Sequence, residues 1–282
     1  MHTFCLFNGE IKDTSEPIFR INDLAILRGY GIFDFMPIKS ALPLFYDDYW
    51  ARFSNSARIT GLKLQFNQEE FRQQIMTLIE KNEITDGYCR VILTGGYSSN
   101  GFSPDGTPNC VVTTMGEFEY DASDYAGTKL LTLLFTRENP LVKSLNYSTV
   151  LMQQTNLKKA GASDVLYINE KSIVSESSRA NFFILNSDGV LMTPESNILP
   201  GITRKNVLAV ADEIGIPAKV TDFDLEEVRN AQSAFMTSTT KNIMPVTKVD
   251  DFEINGGKVV QTIFDLQAQL KRKTDQYIAK HS

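Results

Sequence analysis

Lys143 stands in the stretch LVKSLNYSTV, residues 141 to 150, behind Leu141 and Val142 and ahead of a Leu, an Asn and a Tyr. A lysine so placed is either a turn residue facing water or an amine whose pKa is lowered by burial until it acts as a nucleophile. In LPGITRKNVL, residues 199 to 208, a Pro-Gly turn runs into a helix that starts near Ile202. The backbone N–H groups of Ile202 and Thr203, the Thr203 hydroxyl and the Arg204 cation suit a phosphate, although a capped helix start reads the same way. MTSTTKN, residues 236 to 242, offers Ser238 and Thr239 to an anion, or is a solvated turn. In IVSESSRANFF, strand alternation puts Val174 and Glu176 on one face and Ile173 and Ser175 on the other. A half-buried carboxylate there wants a cationic or N–H partner; a glutamate facing water is the plain alternative. Arg52, in WARF, flanks the apolar side of its helix, and Tyr88 and Arg90, in YCR, share a strand face that suits a carboxylate ligand. The two histidines, His2 and His281, lie at the extreme ends. The body of the chain thus has no imidazole for a Ser-His-Asp triad, a Cys-His pair or a zinc site. Acid–base work falls to Lys, Tyr, carboxylates or a cofactor.

These residues need a large scaffold, and 282 residues supply one large or two medium domains. An apolar share of 42% and a charged share of 22% are those of a soluble globular chain. A formal charge of −6 argues against a nucleic-acid partner. No run approaches the roughly 18 apolar residues of a membrane helix. MHTFCLFNGE has no secretory pattern, and Cys5, Cys89 and Cys110 form no CxxC pair. Reduced thiols, no metal site and a cytoplasmic setting are expected. Short strands and an Asn8-Gly9 hairpin precede a helix over about 47 to 60, with Asp47 or Asp48 as cap and Gly61 as stop. A second helix is predicted over 68 to 81 behind Asn67, and strands over 88 to 96 and 109 to 116. The acidic stretch EFEYDASDYAG, 117 to 127, is the candidate linker between an α+β domain (1–116) and a β-rich domain (128–282). The second domain alternates strands with helices over about 147 to 160, 202 to 214 and 258 to 280. No GxGxxG or GxxxxGK[ST] is present, so a Rossmann or P-loop site is not expected.

KSLNY, V-x-E-x-S-x-x-N-F-F, LPGITR, F-M-x-S-T and P-V occur in this order, after an F-D at 33 and a WARF-x-x-SA helix. This set, spread over nearly the whole chain, resembles the fold-type IV pyridoxal-phosphate enzymes: branched-chain aminotransferases, D-amino-acid aminotransferases and aminodeoxychorismate lyases. The resemblance implies an α+β fold of two domains, a smaller N-terminal one and a larger β-rich one that binds pyridoxal 5'-phosphate; the two are expected to close on the cofactor, with 117 to 127 as a mobile linker. It implies that Lys143 carries the cofactor as a Schiff base and shuttles the proton between Cα of the substrate and C4′. It puts Glu176 on the pyridine nitrogen, Tyr147 beside the phenolic oxygen, and Arg52, Ile202, Thr203, Ser238 and Thr239 around the phosphate. It puts Phe33, Phe35, Tyr88, Arg90 and Thr240 on the substrate, and it implies a homodimer with sites near the interface.

The departures from the family pattern narrow the reading. Asn100, Gly101 and Phe102 stand where D-amino-acid aminotransferases have their Arg-x-His carboxylate trap. The lyases have an Arg in place of Tyr147 and a Thr in place of Phe35. Branched-chain enzymes usually have a Gly at Phe35, an Arg at Pro37 and a Glu at Asp34. Ser233 and Asn242 replace two customary acids. The function expected is transamination between an amino acid, branched-chain residues among the candidates, and a 2-oxo acid such as 2-oxoglutarate. Pyruvate-releasing lyase and D-amino-acid aminotransferase activities are the alternatives.

Overall fold

The computed structural model describes residues 1–118 and 126–281 of the chain. Of the expected linker, residues 119–125 lie outside the described residues. The chain divides into two compact units. One comprises Met1–Phe118, Val142–Asn146 and Thr274–Ser282; the other comprises Glu119–Leu141 and Tyr147–Lys273.

The first unit is built on an antiparallel sheet. Its strands are β1 (Phe4–Phe7), β2 (Glu10–Asp13), β3 (Gly31–Lys39), β4 (Leu42–Pro43), β5 (Gly87–Thr94) and β6 (Cys110–Met115), in the order β2-β1-β6-β5-β3-β4. The β1–β2 hairpin turns on Asn8 and Gly9, both at positive φ, as a two-residue hairpin of matching twist requires. Along β3, Ile32, Asp34, Met36 and Ile38 are buried, and Phe33, Phe35, Pro37 and Lys39 are half-buried. Two helices bury apolar stripes in this unit. α2 (Tyr46–Thr60) follows a short α1 (Leu24–Arg28) and buries Tyr49, Phe53 and Ala57, while α3 (Gln68–Lys81) buries Phe71, Ile75, Leu78 and Ile79. Asn67 closes a capping box with Glu70, which fixes the start of α3. The start of α2 differs from expectation. Phe45, at φ 52°, is the cap residue, and Asp47 and Asp48 fall in the first turn, where they complement the helix dipole.

The second unit holds β7 (Thr128–Leu134), β8 (Asp164–Ile168), β9 (Val174–Ser177), β10 (Asn181–Leu185), β11 (Leu191–Thr193), β12 (Ala218–Val220), β13 (Ser233–Ser238), β14 (Asn242–Val249) and β15 (Phe252–Glu253). Their order is β12-β11-β10-β13-β14-β7-β8-β9, with β15 on β14. β9 also pairs with β10, so six strands, β10-β13-β14-β7-β8-β9, close into a ring. Each of the six contributes to one core: Phe182, Met236, Met244, Leu130, Leu166 and Val174. The opposite face of β10 and β13 carries Phe183, Leu185 and Phe235, which pack on helices α6 (Ile202–Glu213) and α8 (Gln261–His281). The helix expected over 147 to 160 is two short ones, α4 (Ser148–Leu151) and α5 (Gln154–Ala160). Leu151 and Met152 at the break face solvent, so no continuous apolar stripe holds a single helix together. α7 (Leu225–Arg229) is capped by Asp224. No helix among the described residues is long and apolar enough to cross a membrane.

Candidate active site

Lys143 is fixed in the first unit by its own backbone. The N–H of Phe33 donates to the Lys143 carbonyl at 2.9 Å, and the N–H of Leu145 donates to the Gly31 carbonyl at 3.1 Å. Ile32 and Ser144 form an antiparallel bridge. The KSL segment thus adds to the edge of β3, where β4 does not reach. Gly31 permits this approach, because a Cβ there would meet Leu145 Cδ1 at 2.6 Å and the Leu93 carbonyl at 2.9 Å. The Lys143 N–H donates to Ser56 Oγ on α2 at 3.3 Å. Its half-buried side chain puts Nζ 4.6 Å from the centre of the Phe33 ring.

From Phe33 onward the same face of β3 becomes aromatic. Phe35 stacks on Tyr88 with ring centres 5.0 Å apart, and Phe118 lies 5.4 Å from Tyr88. The Arg90 guanidinium sits 5.3 Å over Phe35, its cross-strand partner. Arg90 forms no ion pair among the described residues. On the buried face, Arg52 donates from Nε and Nη2 to the two oxygens of Asp34, at 3.0 and 2.6 Å. Asp34 is 2% exposed and also accepts from the Phe35 N–H. The short acid thus aims the arginine, and a bidentate pair of this kind leaves it little freedom.

In the second unit a β-bulge decides where Glu176 points. Leu166 pairs with Ser177 and Ile168 with Val174, so β9 has one residue more than β8 over this interval. Val174 stays in the ring core, while Glu176 pairs with Asn181, whose side of β10 is that of Phe183. The alternation expected to keep Val174 and Glu176 on one face is therefore broken by the extra residue, as bulges beside active sites commonly do. Glu176 is 4% exposed and fully engaged. Arg137 Nη1 donates to Oε1 at 2.8 Å; Asn181 Nδ2 and the Leu199 N–H donate to Oε2 at 2.9 and 3.0 Å. Asn181 Nδ2 also reaches the Leu199 carbonyl. Gly201 is required above it, since a Cβ would collide with Asn181 Oδ1. Half-buried Tyr147 has its phenol pushed up to about 12, mainly by burial, with Arg137 opposing and Glu176 adding to the shift. The sequence singles out Glu176 as a candidate but not Arg137, Asn181 or the Leu199 N–H, which surround its carboxylate; the demand of a buried carboxylate for a cation was the available signal.

Gly201 caps α6 without a side-chain bond, so the N–H groups of Ile202 and Thr203 have no acceptor among the described residues. Arg204, expected to join them on an anion, instead donates to Thr193 Oγ1 and the Pro194 carbonyl. Ser238, Thr239 and Thr240 lead the β13–β14 turn, where Ser238 Oγ accepts from the Lys241 N–H. Thr237, opposite Asn181 in the ladder, has a buried hydroxyl without a partner among the described residues. Free N–H groups at a helix start, a hydroxyl turn, an orphaned buried hydroxyl and a buried carboxylate fit a group with an anionic tail and a protonated ring nitrogen. Among the described residues no set of His, Cys, Asp and Glu could hold a metal ion.

Residues 31–249 match the family model for amino-transferase class IV. A D-alanine aminotransferase of Staphylococcus aureus (strain MSSA476) is 28% identical over 284 residues, spanning 98% of this chain and 98% of its own. The branched-chain aminotransferase of Thermoproteus uzoniensis, solved with norvaline, superposes with a TM-score of 0.89 at 22% identity, covering 99% of this chain and 98% of that one. A T.th. branched-chain amino acid aminotransferase, solved with pyridoxamine 5'-phosphate, does so with 0.88 at 23% identity, covering 98% and 95%. The two structures establish the fold. With the family model spanning both units, the chain belongs to the class IV aminotransferases, fold-type IV enzymes that use pyridoxal 5'-phosphate.

Proposed function

We propose that this aminotransferase takes an amino group from an amino acid with an apolar side chain and gives it to a 2-oxo acid such as 2-oxoglutarate, with Lys143 as its catalytic amine. The single observation that carries the reading is the seat of Lys143, whose backbone is tied to β3 while its amine lies over Phe33. When bound, pyridoxal phosphate supplies an aldehyde and an electron-withdrawing ring. Lys143 Nζ would take the proton from the substrate Cα and deliver it to C4′ of the bound group, and run the transfer in reverse for the 2-oxo acid. Glu176, held by Arg137, Asn181 and the Leu199 N–H, would accept from the ring nitrogen of the bound group. Tyr147 is a neutral donor at working pH, as an unshifted phenol would be, and burial raises it further. Arg52, aimed by Asp34, and the Ile202 and Thr203 N–H groups hold the phosphate with Ser238 and Thr239.

Phe33, Phe35 and Tyr88 form an apolar bed for the substrate side chain, and Arg90 and Thr240 receive carboxylate. Phe35, in place of a small residue, favours compact or flat side chains. We place the enzyme in the cytoplasm, consistent with three buried free thiols, and read it as a homodimer on the family expectation. Sedimentation checks the dimer.

Borohydride treatment of the cofactor-loaded enzyme should fix the chromophore on Lys143, and peptide mapping should find it there. Attachment at another lysine removes the central assignment. A panel of L- and D-amino acids, followed through the bound cofactor's absorbance, then defines the donor. Reaction confined to D-amino acids, or pyruvate release from aminodeoxychorismate without transamination, would replace the proposed substrate class.

A further inference from the structure

Arg137 lies outside every motif that carries the family resemblance, in a segment, RENP, that reads as a polar turn. Its Nη1 donates both to Glu176 Oε1, at 2.8 Å, and to the Pro140 carbonyl, at 3.2 Å. The same atom therefore holds the carboxylate and closes the turn three residues ahead of Lys143. Glu176 Oε2 already accepts from Asn181 and Leu199. A carboxylate oxygen has two lone pairs, so any further donor comes to Oε1, beside the guanidinium.

We propose that Arg137 is a positioning residue for transamination, keeping Glu176 ionised and aimed so that the proton stays on the ring nitrogen. This rests on the reading of Glu176 as the ring-nitrogen partner. A carboxylate this deeply buried needs a compensating cation. Without Arg137 the proton of the ring nitrogen moves to Glu176, the hydrogen bond reverses, and the ring loses the positive charge that makes it withdraw electrons from Cα. Pinning the turn at Pro140 alone has no such effect on the ring.

The test uses pyridoxal phosphate labelled with 15N in the ring, bound to the wild type, R137K, R137M and E176Q. The ring 15N chemical shift reports protonation. Thermal midpoints report folding, and kcat is measured alongside. Wild type and R137K should give the protonated shift. R137M should move towards the unprotonated shift, and its kcat should fall about 10- to 100-fold, the loss expected on removing a hydrogen bond to a charged group. An R137M signal identical to wild type overturns the proposal even if activity falls, because a turn-holding role alone predicts that result. Should R137M fail to fold, R137Q, which also removes the charge, is read in its place: a move towards the unprotonated shift supports the proposal and a wild-type shift overturns it. An E176Q signal like that of wild type removes Glu176 from the ring nitrogen, a failure of the underlying reading that the arginine variants do not produce.

Discussion

Three donors converge on the Glu176 carboxylate, and their removal and replacement have different expected costs. Glu176→Gln keeps the size and loses the charge, so the cofactor should remain bound while Cα proton loss slows about 100-fold or more. Stopped-flow absorbance of the half-reaction, with the cofactor content after dialysis, measures both. Asp34 acts through Arg52. Asp34→Ala leaves a nearly buried guanidinium without its carboxylate, a change that typically costs about 3 kcal/mol or more. Lower thermal stability and weaker cofactor retention should appear together; a loss of stability alone would separate Arg52 from the phosphate.

At the scale of elements, the contacts that shape the candidate site are made by close approach. Gly201→Ala pushes a methyl into the Asn181 amide, which holds both Glu176 and the Leu199 carbonyl. Forced shifts of this kind cost about 1–3 kcal/mol, and the kinetic loss should exceed what a comparable substitution on the exposed side of α6 produces, as steady-state kinetics and melting curves on both variants would show. Most strands and helices were legible from apolar spacing and from stop residues such as Gly61. The direction of Glu176 was not, because strand alternation gives the wrong face when one extra residue enters β9 and nothing local marks it. The break between α4 and α5 was equally silent, with no Gly or Pro to announce it. Arg137 and the Arg52–Asp34 pair were hidden for another reason: each joins residues far apart in the chain, and neither partner alone differs from a surface charge.

For the molecule as a whole, buried neutral acids set the response to alkali. Burial raises the Cys110 thiol from 9.0 to about 12 and the Tyr147 and Tyr167 phenols from 10.0 to about 12; Cys89 and Tyr46 shift the same way. The folded chain keeps these protons while the unfolded chain gives them up near the ordinary values. Their contribution to stability is thus complete below pH 9 and is lost as pH rises through about 12. Thermal midpoints should be flat around neutrality and fall across that window, and the folded protein should resist thiol reagents at pH 8. A second expectation concerns the far end of the chain. Tyr277, in the last turns of α8, lies 4.7 Å from the ring of Phe45, which caps α2. Ending the chain after Lys273 should lower the thermal midpoint by about 4 °C or more, as calorimetry would register.

The first unit is assembled from three pieces separated in sequence, Met1–Phe118, Val142–Asn146 and Thr274–Ser282. On the ribosome, Met1–Phe118 emerges first, the strip bearing Lys143 follows, and Thr274–Ser282 comes about 130 residues after that strip. A nascent chain therefore carries Lys143 well before the surrounding unit has all its parts, and a product terminated before Thr274 never obtains them.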